Sequence, residues 1–147
     1  FKDYKILVDY AHNPDGLKGI QSFLRSVNAS FHTGVISGTG DRRDDDIREM
    51  GRQAAKMFNE VIICQEKYLR GRTKEEMAEL LIEGLTEENP GISYKVMENS
   101  SQAWDYVIAK IKPGELLTIT SNSINDAYQV VKKHQDSEAF EKNLKII

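Results

Sequence analysis

The sequence contains one cysteine, Cys64, among its 147 residues. A single cysteine excludes an internal disulfide and a metal site built from several cysteines. No apolar run approaches the roughly 18 residues that a membrane span needs, and with a net charge of −3 no stretch resembles a basic nucleic-acid-binding arm. The first residues, 1–4, do not form a signal peptide. We therefore expect a cytoplasmic protein that binds neither nucleic acid nor membrane.

What the sequence does contain is a regular alternation of short apolar runs and amphipathic runs. Strands are predicted at 5–8, 31–37, 61–64, 92–97 and 115–120, and a run with helical periodicity follows each of them. The last stretch, 136–147, is predicted either as a final helix or as an edge strand. The alternation predicts a Rossmann-like α/β domain, with a mostly parallel sheet of about five or six strands and helices on both faces.

The first polar turn, Val8–Gly16, follows the first predicted strand and precedes a helix. Ligands bind at this carboxyl end of the strands in parallel sheets. The carboxylate of Asp9 suits ribose hydroxyls, or it caps a neighbouring turn. His12 suits a base or a phosphate, or it is an ordinary surface residue. Asn13 can cap the following helix, which has Pro14 at its first position. Capping alone therefore already explains why an asparagine side chain is present here.

Two further turns carry arginines and are expected at the same edge of the sheet. Guanidinium groups and backbone N–H groups beside a helix start suit phosphate or carboxylate. Alternatively, the first turn's arginines pair with the acidic residues at 44–46, and the second turn is a solvated loop. Neither turn matches a P-loop or a dinucleotide fingerprint. Together the arginines of these turns, Arg42, Arg43, Arg70 and Arg72, predict an anion-binding rim.

The remaining candidate residues indicate no catalytic centre within this chain. Cys64 and Trp104 lie in predicted core segments, and Cys64 is expected to be inert. His32 and His134 lack the spacing of a metal-ligand pair, so no metal site is predicted. The sequence shows no nucleophile with a base and no complete acid–base pair. We therefore predict no catalytic residue in this domain alone.

The three turns resemble a known family when taken in order. Asp-Tyr-Ala-His-Asn-Pro at 9–14 resembles the motif that opens the C-terminal domain of Mur ligases. Gly-Asp-Arg-Arg-Asp at 40–44 and Leu-Arg-Gly-Arg at 69–72 are most similar to the cyanophycin synthetase family, whose C-terminal half is a Mur ligase. The resemblance covers residues 1 to about 130. It implies that residues 1–147 are a Mur ligase C-terminal domain from a longer, multidomain ligase.

The resemblance implies ATP-dependent amide ligation, in which ATP phosphorylates a carboxylate and an amino group attacks the acyl phosphate. Transferred to this sequence, Asp9 would meet the ribose, and His12 and Asn13 would lie near the nucleotide. Asp41, Arg42 and Arg43 would line the cleft. Arg70 and Arg72 would face the incoming amino-acid or polypeptide substrate.

The resemblance also implies what the rest of the parent protein supplies. A central domain would supply the P-loop, the Mg²⁺ ligands and most of the phosphate chemistry. An ATP-grasp half would belong to the same parent chain, which could form an oligomer. The implied reaction adds arginine to aspartate side-chain carboxyls, and the isolated domain is expected to be inactive. Two alternatives stay open: a Mur-type ligase acting on folate or wall peptides, and a non-catalytic module with the same fold. Ser121–Asn125 differs from the Gly-Lys-Gly-His-Glu turn of many wall-peptide ligases.

Overall fold

A computed structural model describes residues 4–38, 40–65 and 69–144. Within these residues, strands and helices alternate along the chain as the apolar periodicity predicts. The elements, in chain order, are β1 Lys5–Asp9, α1 Pro14–Ser26, β2 Phe31–Ile36, α2 Asp44–Met57, β3 Glu60–Cys64, α3 Lys74–Glu88, β4 Ser93–Met97, α4 Ser100–Lys110, β5 Glu115–Thr120 and α5 Ile124–Leu144.

The strands form one parallel sheet in the order β1-β5-β2-β3-β4. The predicted fold class is therefore confirmed, with five strands in the described part of the chain. The last strand returns to the middle of the sheet, where Ile119 lies between Val8 of β1 and Val35 of β2. The turn after β5 consequently lies between the turns that follow β1 and β2.

Helices cover both faces of the sheet. Because successive side chains of a strand point to opposite faces, Val61 and Ile63 pack on one side of β3 and Ile62 on the other. Val61 and Ile63 join a core under α1, α2 and α3, and Ile62 joins a second core under α4 and α5. Cys64 is buried in this second core, as expected. The change of face between α3 and α4 leaves room for a cleft at the carboxyl edge.

Two glycines allow α2 and α3 to approach each other closely. A Cβ on Gly51 of α2 would overlap the backbone carbonyl of Leu81, and a Cβ on Gly84 of α3 would overlap that of Arg48. Only a residue without a side chain fits at such a helix contact. The close contact of these helices brings the turns that precede them, after β2 and β3, next to each other.

Capping side chains fix where the helices begin. The Oδ1 atom of Asn13 accepts a hydrogen bond from the Gly16 backbone N–H at 2.8 Å, so the predicted cap of α1 is confirmed. Thr73 caps α3 by accepting a hydrogen bond from the Glu76 backbone N–H at 3.1 Å. Helix α4 begins at Ser100 and is capped by Asn99. Each of these caps lies at the carboxyl edge of the sheet.

The final helix extends farther than its apolar pattern indicated. Residues 136–144, predicted either as a helix or as a strand, continue α5, while 145–147 lie outside the described residues. His134 in this helix contacts Asp105 of α4 with its Nε2 atom 2.9 Å from Oδ1. No helix of the described residues combines the length and hydropathy of a membrane span.

Candidate functional site

Four turns enclose a cleft of about 790 Å³ at the carboxyl edge of the sheet. They follow β2, β3, β4 and β5, and side chains from α4 and α5 complete the lining. Two of the predicted substrate-binding residues, Asp41 and Arg70, are among the lining residues, which are Gly40, Asp41, Gln65, Arg70, Asn99, Ser100, Ser101, Trp104, Ser121, Asn122, Ser123, Asp126 and Val130.

The turns after β2 and β3 are joined by Arg72, whose side chain is only 18% exposed. Its Nε donates to the Gly40 carbonyl at 3.2 Å and its Nη2 to the Arg42 carbonyl at 2.9 Å. The same guanidinium pairs with Asp44 at 2.7 Å and with Glu76 at 3.1 Å. With four protein partners, this group holds the two turns in a fixed relation. We call residues 40–43 and 69–72 the interlocked turns.

Backbone contacts reinforce the interlocked turns. A Cβ on Gly40 would overlap the Leu69 carbonyl, so glycine is required at this contact. The Arg72 backbone N–H donates to the Leu69 carbonyl at 3.0 Å, and the two central residues have positive φ angles of 49° for Arg70 and 91° for Gly71. Two positive φ angles are typical of a type I′ turn and are unfavourable for arginine. The turn therefore holds Arg70 at the cleft at a cost in backbone strain.

Arg70 and Asp41 form an ion pair within the cleft lining, with Nη1 3.0 Å from Oδ2. The side chains are 68% and 45% exposed. Ion pairs as exposed as this one contribute little to stability. Both charged groups can therefore exchange their mutual contact for a ligand carboxylate or ammonium group at low cost.

Two of the predicted cleft residues, Arg42 and Arg43, do not line the cleft. Arg43 is 84% exposed and pairs with Asp46 of α2 at 3.0 Å, so the alternative that the arginines of this turn pair with the acidic helix start holds for Arg43. The hydrogen bond from Arg43 lowers the pKa of Asp46 and raises that of Arg43. Arg42 is exposed, and its carbonyl accepts the bond from Arg72.

The turn after β1 lies beside the cleft, separated from it by the turn after β5. Asp9 Oδ1 accepts a hydrogen bond from the Ala11 backbone N–H at 2.8 Å, and its carbonyl accepts one from Ser121 N–H at 3.0 Å. His12 Nδ1 lies 3.0 Å from the Tyr10 carbonyl, and the two rings meet edge to face at 4.8 Å. Asp9, His12 and Asn13 do not line the 790 Å³ cleft.

Sequence reasoning missed the contribution of the turn after β4. Asn99, Ser100, Ser101 and Trp104 line the cleft, and we call these four residues the α4 wall. Trp104, predicted as core, is indeed only 4% exposed. Its Nε1 atom has no hydrogen-bond partner within residues 4–38, 40–65 and 69–144. The polar Asn-Ser-Ser after a predicted strand was the signal available, since the other rim turns show the same pattern.

The described residues of the cleft provide polar and charged binding groups. In the ranges that the structure covers, no three His, Cys, Asp or Glu side chains are grouped as metal ligands. The described lining residues supply one guanidinium, two carboxylates, several hydroxyl and amide groups and a partly apolar surface. This combination suits a small polar ligand that carries charges of both signs.

Sequence comparison relates the chain to a family of ligases. The family model described as "Mur ligase, glutamate ligase domain" matches residues 2–123. Cyanophycin synthetase from Synechocystis sp. is 34% identical over 129 residues, which is 88% of this chain and 15% of that protein. The chain therefore spans about 15% of the length of this curated relative.

Structure comparison gives the same fold in solved ligases. A UDP-N-acetylmuramoyl-L-alanyl-D-glutamate–2,6-diaminopimelate ligase matches with a TM-score of 0.77 and 19% identity, covering 95% of this chain and 30% of that one. Escherichia coli FolC in complex with ADP matches with a TM-score of 0.63 and 20% identity, covering 93% and 29%. At these identities the similarity demonstrates a shared fold.

Proposed function

Because the chain belongs to the Mur ligase family as its glutamate ligase (C-terminal) domain, we propose that it closes the active site of a longer ATP-dependent amide ligase. Within the parent it would supply nucleotide contacts and part of the amino-acid site. The similarity to cyanophycin synthetase favours the addition of arginine to aspartate side-chain carboxyls. The other domains of the parent would provide the phosphoryl-transfer chemistry.

One observation carries this proposal: the turns with the family motifs lie along one edge of the sheet, around or beside a single cleft. Arg70 and Asp41 present opposite charges in its lining. An amino acid carries a carboxylate and an ammonium group, so Arg70 suits the first and Asp41 the second. Asp126, in the same lining, suits a cationic side chain such as a guanidinium.

The five proposed substrate residues divide into two roles. Asp41 and Arg70 are proposed to contact the substrate directly, while Arg42 and Arg43 are proposed contacts that would form when the parent's central domain approaches. Arg72 was expected to face the substrate, but four protein groups already bind its guanidinium. We therefore propose Arg72 as a positioning residue that holds the interlocked turns.

The turn after β1 suits one side of a nucleotide site. Only Oδ1 of Asp9 bonds to the Ala11 N–H, so Oδ2 is the atom proposed to meet a ribose hydroxyl. The edge-to-face pair of Tyr10 and His12 suits contact with a base. Asn13 is proposed to lie near the nucleotide while it caps α1. ATP would supply the phosphoryl group that activates the carboxylate, and Mg²⁺ is proposed to be held mainly by the central domain.

The proposal is tested with the full-length parent supplied with ATP, L-arginine and an aspartate-containing primer. We expect a product heavier by one amide-linked arginine, detected by mass spectrometry, together with stoichiometric ADP and phosphate. Without ATP no product should form. A parent that makes no such product would eliminate the substrate assignment, and a parent without a Gly-Lys-Ser/Thr P-loop upstream would favour a non-catalytic module. The isolated domain, as one side of the site, should bind nucleotide weakly.

Asp9 gives a residue-level test in the same full-length parent. Asp9→Ala should weaken ATP binding by roughly 1–3 kcal/mol if a buried hydrogen bond to ribose is lost. Asp9→Asn is the matched variant, because its amide oxygen can still accept from the Ala11 N–H and preserve the turn. Titration calorimetry with ATP measures both variants. Unchanged ATP affinity in Asp9→Ala would remove this residue from the nucleotide site.

A further inference from the structure

Gln65 is a buried polar residue in the lining of the cleft. It directly follows β3 and is only 7% exposed. Its Nε2 atom donates a hydrogen bond at 3.2 Å to the carbonyl of Lys74, the first residue of α3. A carbonyl oxygen can only accept, so this bond fixes which side of the Gln65 amide carries the nitrogen. The amide oxygen, Oε1, therefore lies on the side away from the Lys74 carbonyl.

The Oε1 atom of Gln65 is an acceptor that the protein itself leaves unoccupied. Within residues 4–38, 40–65 and 69–144, no group donates a hydrogen bond to this oxygen. Unlike the Nε1 atom of Trp104, it is not one of the fully buried polar atoms that lack a partner, so it retains accessible surface. Because the rest of the residue is enclosed and lines the cleft, this surface opens to the cleft. A ligand N–H group in the cleft can therefore reach the oxygen.

The charges of the lining restrict the kind of group that donates to this oxygen. Arg70 is the only cation among the described lining residues, and Asp41 and Asp126 are anions. Arg70 pairs with Asp41, whereas the Asp126 carboxylate forms no ion pair with any described residue. A cationic N–H group is attracted by this excess of acceptors, while a second carboxylate or a phosphate would face oxygen atoms of like charge.

We propose that Gln65 is a specificity-determining residue of the cleft, whose Oε1 atom accepts a hydrogen bond from a cationic N–H group of the bound ligand. The ligand class is an amino acid with a guanidinium or ammonium side chain. The inference rests on the proposed function, which assigns this cleft to the amino substrate. It adds a contact from a neutral side chain outside the interlocked turns.

Binding of L-arginine to the full-length parent tests the inference without turnover. Titration calorimetry in the presence of ADP and Mg²⁺ would compare the parent sequence with Gln65→Met, which removes the amide at a similar side-chain length. We expect the affinity for L-arginine to fall about tenfold, because a hydrogen bond to a charged group is lost. L-norleucine, which has no side-chain N–H group, should bind equally weakly to both proteins. An unchanged affinity for L-arginine in Gln65→Met would overturn the proposal.

Two controls sharpen this measurement. Gln53→Met is the matched variant, because Gln53 is also buried and donates through its Nε2 atom but does not line the cleft. It should leave the affinity for L-arginine unchanged. L-glutamate carries a side-chain carboxylate and should bind the parent sequence more weakly than L-arginine. Tighter binding of L-glutamate, or an equal loss of L-arginine affinity in Gln53→Met, would contradict a specific role for Gln65.

Gln65→Glu separates the acceptor role of Gln65 from its bond to Lys74. At about pH 8, where a glutamate carboxyl is ionised, this variant loses the donor to the Lys74 carbonyl, as Gln65→Met does, but keeps an oxygen for the ligand. We expect it to bind L-arginine at least as tightly as the parent sequence. An equal loss of affinity in both variants would show that only the bond to Lys74 matters, and would contradict the proposal.

The inference and the ligase proposal can fail separately. A parent that binds L-arginine with this pattern but does not ligate it would disprove the proposed reaction and support the role of Gln65. A parent that ligates L-arginine with the same KM in the Gln65→Met variant would support the reaction and overturn the role of Gln65.

Discussion

The interlocked turns and the α4 wall line the same cleft, but they use their polar groups in different ways. In the interlocked turns, Arg72 bonds to four protein groups and Asp41 pairs with Arg70. In the α4 wall, the Trp104 N–H has no partner among the described residues. In the interlocked turns, internal bonds thus occupy the half-buried Arg72, while the exposed Arg70–Asp41 pair stays accessible to a ligand. The difference teaches that charge density alone does not identify the groups available for binding.

Substituting Gly40 should disrupt the interlocked turns most strongly. An added Cβ would overlap the Leu69 carbonyl, which is backbone and cannot rotate away. We expect Gly40→Ala to lower the free energy of unfolding by about 2–3 kcal/mol, as overpacking does. Denaturant unfolding measures the change. Gly19→Ala is the control, since no atom lies within 4 Å of its Cβ position; helix propensity should make it stabilising by up to about 1 kcal/mol.

Replacing Arg72 by lysine tests whether its forked guanidinium is needed. An ammonium group cannot reproduce the bonds to the Gly40 and Arg42 carbonyls and to both carboxylates at once. We expect Arg72→Lys to lower the free energy of unfolding by about 1–2 kcal/mol, measured by chemical denaturation. Arg25→Lys, at an exposed position in the last turn of α1, should change it little. Equal stability of the two variants would show that Arg72 does not hold the turns.

A smaller, pH-dependent effect is expected on α2, the helix that follows the first interlocked turn. Hydrogen bonds from Gln53 and Arg52 lower the pKa of Glu49. Its contribution to stability is therefore present above the unfolded pKa of about 4.3 and is lost as the pH falls through the lower folded pKa. Glu49→Gln should reduce the loss of stability below about pH 5 by less than about 1 kcal/mol. Urea unfolding at several pH values checks this, and a steeper loss in the variant would contradict it.

Much of the fold could be predicted from the sequence, because strands and helices leave a local apolar pattern. The end of α5 could not, since residues such as Asp136 and Ser137 are exposed and a solvated helix needs no apolar face. The roles within the site were also hidden. Arg72 bonds to carbonyls 32 and 30 residues earlier in the chain, and no spacing rule indicates such contacts. Trp104 lies on the apolar face of its helix, so the apolar pattern predicted a core residue. That pattern does not indicate that the indole N–H lacks a hydrogen-bond partner among the described residues.

The account rests on the claim that Arg70 binds the amino substrate of the ligation reaction. The most direct test measures KM for L-arginine and for ATP in the full-length parent carrying Arg70→Gln, with Arg25→Gln as control. We expect the KM for L-arginine to rise about tenfold or more, because a charge-assisted hydrogen bond is lost, while the KM for ATP stays unchanged. An unchanged KM for L-arginine in Arg70→Gln would contradict the claim.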